Sequence, residues 1–173
     1  MSKLERRRGM YFGAWKPTTS GGTPVWEAIG KDNDELRKEL NPDTESFKNV
    51  LGEAGVRHSG YEPEIGVDPY YMDPDRAMYA HMLKVAMEEK FGEEDLLGLF
   101  AEAFFESVDE ETQTMTGYCY VRDAWFIPQS TGGDTSGLAI PYTIKPVGAM
   151  TKKNISYNIS TNTATITDIS TGG

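Results

Sequence analysis

A chain of 173 residues with 38% hydrophobic and 25% charged content matches one soluble globular domain with a substantial core. Its formal net charge of −10 argues against a nucleic-acid binder, which needs Lys and Arg to neutralise phosphates. The single cysteine, Cys119, excludes an internal disulfide and a cysteine-rich zinc site, and no run approaches the roughly 18 apolar residues of a membrane helix.

The opening MSKLERRRGM is basic but leads into no apolar run, so no signal peptide is expected. Residues 1–9 read as a charged, flexible N-terminal arm and residues 10–173 as a single β domain. MYFGAW (10–15) and PVWEAIG (24–30) have the composition of short strands, split by the loop KPTTSGGT. DELRKELN (34–41) is built of helix formers but bounded by turn residues, and its state stays open at this level. ESFKNVLGEAGVRHSGY (45–61) reads as two strands turning at GEAG.

VDPYYMDPDRAMYAHMLKV (67–85) has the features of a helix entrance. Asp73 is the expected helix cap, Pro74 the first helical residue, and Asp75 an acid in the first turn. Tyr79, Met82, Leu83, Ala86 and Met87 then form an apolar stripe, and Gly92 supplies the stop, so the helix is expected over about 74–91. A metal site is not expected. The stretch lacks the third acid, the glycine and the closing glutamate of a calcium loop, and His81 is followed at i+4 by Val85. No GxSxG, P-loop or dinucleotide fingerprint occurs, so no catalytic residue, cofactor or enzymatic activity is expected.

The C-terminal half alternates strongly in LLGLFAEAFFE, QTMTGYCYVRDAWFI, LAIPYTIKPV and NISYNISTNTATITDI, with PQSTGGDTSG as a flexible loop. Folding LLGLFAEAFFE onto TMTGYCYVR about VDEET pairs Phe105 with Met115, Ala103 with Gly117, Ala101 with Cys119 and Leu99 with Val121. These form a core face, on which Cys119 is a structural thiol rather than a nucleophile. The opposite, wet face carries Glu102, Glu106, Thr114, Tyr118 and Arg122, with Phe100 and Tyr120. The whole reads as a mainly β (α+β) domain with one helix.

Two stretches then carry a resemblance. WEAIGKDNDELRKELNPDTESFKNVLGEAGVRHSGYEPEIGVDPYYMDPDRAMYAHMLKVAM and IPQSTGGDTSGLAIPYTIKPVGAMTKKNISYNISTNTATIT resemble the major tail tube proteins of long-tailed bacteriophages and prophages. The resemblance covers nearly all of the chain after residue 10. It implies a β-sandwich or small β-barrel with one flanking helix, and a strand within DELRKELN against its propensity.

It also implies a structural protein of the virion tail, made in the bacterial host cytoplasm. Such proteins form hexameric rings that stack into a tube conducting the tape-measure protein and DNA. The implied partners are the chain itself, the tape-measure protein, the tail terminator and baseplate proteins, with DNA passing without specific binding. Under this reading Glu102, Glu106, Thr114, Tyr118 and Arg122 are channel-lining candidates, and an acidic wall would repel DNA. The competing reading puts that face under the helix. Arg6, Arg7, Arg8, Ser130 and Asp134 are candidates for ring-to-ring contact. The alternatives are a terminator or hub, the inner tube of a contractile machine, or a carbohydrate-binding β-sandwich or enzyme using Tyr118, Tyr120 and Trp125.

Overall fold

The computed structural model describes residues 9–16 and 21–169. The chain is mainly β, with one large antiparallel sheet and little helix. Its centre is three long strands: β7 (Leu97–Asp109), β8 (Thr114–Pro128) and β11 (Tyr142–Asn158). β1 (Met10–Trp15) and the two-residue β2 (Glu27–Ala28) extend the sheet past β7. On the far side β11 takes two partners. Its first half pairs with β6 (Glu64–Val67), which carries the short β3 (Lys38–Glu39), and its second half pairs with β12 (Thr163–Thr167).

The change of partner falls at an irregularity between Val147 and Thr151, where Gly148 adopts φ 73°. An isolated antiparallel bridge joins Trp26 to Ala164. It links the start of β2 to β12, so the path β2-β1-β7-β8-β11-β12 closes on itself as a small barrel. Between β3 and β6, β4 (Pro42–Lys48) and β5 (Ala54–Tyr61) pair only with each other. β9 (Gly132–Asp134) and β10 (Gly137–Ala139) form a small hairpin inside the segment expected to be a loop.

Period-2 alternation sends side chains of the long strands to two cores. Inside the barrel, Phe12, Ala101, Ala103, Met115, Cys119, Ile155 and Tyr157 pack together. On the opposite face, Phe100, Phe126, Tyr142 and Ile144 pack under Met78 and Met82 of the helical segment. Part of the expected wet face is therefore core: Phe100 is 1% exposed. The helix needs an apolar bed, and this part of the sheet supplies it.

The β7/β8 hairpin keeps the expected faces but not the expected register. Ala103 pairs with Cys119 and Ala101 with Val121, two residues along from the sequence reading. A shift of two preserves side-chain direction, so the core set survives. The offset arises because the turn falls at 110–113 and Glu106 is the extra residue of a bulge between Phe105 and Ser107. Gly117 is required there, since a Cβ would lie 2.0 Å from the Phe104 carbonyl oxygen.

The flanking helix α1 spans Tyr79–Met87, not 74–91, and Asp73 does not cap it. Asp73 Oδ1 accepts the Asp75 N–H at 3.0 Å, closing a turn ahead of the helix. Arg76 is drawn instead into ion pairs with Asp32 and Glu27, so residues 74–78 stay in turns. The buried stripe is Met82 and Val85, with the capping Met78 before them, while Met87 is exposed.

The stop is not Gly92. Glu89 takes φ 50°, and the Lys90 N–H reaches the Val85 carbonyl at 3.0 Å, the six-to-one bond of a Schellman motif. Gly92 instead caps the short α2 (Glu93–Leu96), which runs directly into β7.

Candidate assembly surface

The β4–β5 hairpin is the most exposed element. Every residue of β4 is exposed, and its two strands form a sheet of their own. Its turn is built locally: Asn49 Oδ1 accepts the Leu51 and Glu53 N–H groups at 3.0 Å each, and Gly52 takes φ 80°. The turn falls at 49–53 rather than at GEAG, because Gly55 is used within the strand to seat the Phe47 ring. Arg57 lies over that ring, 5.4 Å from its centroid.

A two-stranded hairpin alone is marginal in water. This one also presents Phe47, Val50, Leu51 and Val56 to solvent, with Leu51 80% exposed. Apolar side chains gathered on an exposed element make it a candidate interaction surface.

A second surface is the half of the sheet that α1 leaves uncovered. Phe104 stacks on Tyr118 with centroids 5.5 Å apart, Tyr120 meets both edge-on, and Lys152 Nζ stands 4.2 Å over the Tyr118 ring. The sequence-derived channel candidates gather only in part here. Tyr118 belongs to the aromatic group. Glu102 is ion-paired with Lys38. Arg122 pairs with Phe100 in register and has no ion-pair partner among the described residues, and partial burial pulls its pKa down.

Thr114 lies at the far end, beside Asn158, and Glu106 is exposed at the bulge. Lys38, Arg122 and Lys152 lie on the same face as Glu102. Trp125 and Tyr120 are half-buried.

Sequence reasoning missed Glu27. It is buried with Tyr70 and Tyr142, and burial raises its pKa. Its Oε2 accepts the Met78 N–H at 3.0 Å and the Tyr70 hydroxyl at 3.4 Å, and Arg76 lies 4.0 Å from Oε1. The neighbourhood is enclosed. A charged residue inside a strand-like run was the only sequence signal.

Cys119 is buried and its thiol is pushed up to about 11, as a structural cysteine requires. Among the described residues no group of three His, Cys, Asp or Glu side chains is placed to hold a metal, and no helix is long and apolar enough to cross a membrane.

Recesses also open on the surface. One, of about 500 Å³, opens at the barrel mouth over Trp26, Leu99, Val121 and Ile166. Another, about 390 Å³, lies beside the end of α1 between Phe91, Leu96, Ile127 and Pro128, and Ser130 lines it. Asp134 is held within the chain by the Tyr71 hydroxyl at 3.1 Å and the Ser136 N–H at 2.7 Å. Arg6, Arg7 and Arg8 lie outside the described residues. No protein-family model matches the chain, and no curated protein matches it.

Proposed function

We propose that the chain is a self-assembling structural subunit that forms stacked hexameric rings, the tube of a long-tailed phage or prophage, and conducts tape-measure protein and DNA. The supporting observation is the β4–β5 hairpin, which pairs with no other strand and leaves Val50 and Leu51 exposed at its tip. Among the described residues the outer edge of β7 beyond Ala103 is also unpaired, which suits strand addition by a neighbouring copy. The resemblance of the sequence supplies the hexamer, the stacking and the cargo.

Energetics suit assembly by many weak contacts. Burying Val50 and Leu51 is worth about 1.5–3 kcal/mol each. Association costs an estimated 4–15 kcal/mol in lost freedom, so one tip contact cannot hold two copies together. Six simultaneous contacts between rings can, and the subunit stays soluble until rings form. The test is sedimentation of the Val50→Asp, Leu51→Asp double variant. Unchanged melting with abolished assembly supports the reading, and wild-type assembly by the variant contradicts it. Growth to indefinite length separates a tube subunit from a terminator, which stops at one ring.

A further inference from the structure

Resting on the tube reading, we propose that the tip of the β4–β5 hairpin, Val50 and Leu51, docks into the barrel-mouth recess of a second copy. The recess leaves part of the barrel core reachable from outside. Its apolar floor is Trp26, Leu99, Val121 and Ile166, and its volume of about 500 Å³ has room for two aliphatic side chains. The tip presents two such side chains at the end of an ordered turn.

Charge decides between this recess and the groove beside α1. The hairpin carries Asp43, Glu45 and Glu53 against Lys48 and Arg57, a net of −1. The mouth carries Arg122 together with the pairs Lys16–Asp123 and Lys153–Asp168, both at 2.7 Å, a net of +1. The charged lining of the groove is Glu89 with Lys90, a net of 0, and gives the acidic hairpin no such attraction. The tip and the mouth are different surfaces of one chain, so a tip-to-mouth contact is heterologous and can propagate from copy to copy.

The experiment pairs Leu51→Cys with Thr165→Cys at the mouth rim, and separately with Ser130→Cys in the groove. All three positions are exposed, so the fold tolerates them, and native Cys119 is buried and silent. After mild oxidation of assembled protein, the first pair is expected to give a ladder of covalent multimers that reduction collapses, and the second to stay monomeric. Leu51→Asp is expected to raise the concentration needed for assembly at least tenfold. Tubes seen by microscopy without a ladder from the first pair, or a ladder from the second, overturn the docking and leave the tube reading standing. A ladder without tubes keeps the docking and removes the tube. Neither ladder nor tubes removes both.

Discussion

Glu27 Oε2 accepts the backbone N–H of Met78 at 3.0 Å, so the residue that opens the helix is anchored by a carboxylate 51 residues earlier in the chain. Trp26, its neighbour, makes the bridge that closes the barrel. Two consecutive residues therefore fasten the barrel seam and the helix together. Glu27→Ala is expected to cost about 3–5 kcal/mol, because Arg76 and the Met78 N–H lose a buried partner. Asp73→Ala removes only a half-exposed turn and is expected to cost about 0.5–1 kcal/mol. Chemical denaturation of both variants checks the ranking, and equal losses would contradict it.

Glu89 sits in the left-handed region at φ 50°, where glycine is preferred. Glu89→Gly is expected to stabilise by about 0.5–1 kcal/mol and Glu89→Val to destabilise. Paired thermal melts read the difference directly.

Gly117→Ala is expected to lose at least about 2–3 kcal/mol, since the new Cβ meets backbone that cannot move without opening the bulge. An alanine variant melting like the wild type would mean that the bulge is not held in solution.

His81 stacks on Trp15 and its Nε2 donates to the Asp95 carbonyl at 2.7 Å. Burial lowers its pKa from the ordinary 6.5, so the folded chain holds it neutral. Below 6.5 the unfolded chain binds a proton that the folded chain refuses, and stability falls as pH drops toward the folded pKa. Glu27 works in the opposite sense. Its raised pKa lets the folded chain bind the proton more tightly, so its contribution declines as pH rises from 4.5 through the folded value. His81→Gln is expected to flatten the loss of stability between pH 7 and 5.5, measured as the difference in denaturation midpoints from the wild type.

Period-2 alternation made the core face of β7 and β8 legible from sequence, because a two-residue register shift leaves Ala101, Ala103 and Cys119 pointing inward. Their exact pairing was not legible, since a bulge at Glu106 has no sequence marker stronger than Gly117. The helix was legible as a periodic run, but its ends were not. Arg76 and Glu27 override the local capping signals of Asp73, and a tertiary ion pair cannot be read from spacing. Of the candidate site, Tyr118 and Arg122 do share an exposed face, yet the charge of that face depends on Lys38, brought in by a two-residue strand of helix-forming composition. The hairpin was visible as two strands. Its isolation from every other strand followed only from the topology.

Electron microscopy of the purified protein over rising concentration tests self-assembly most directly. Rings or tubes of one uniform diameter, lengthening without a fixed limit, are expected. Protein that stays strictly monomeric at high concentration would contradict it.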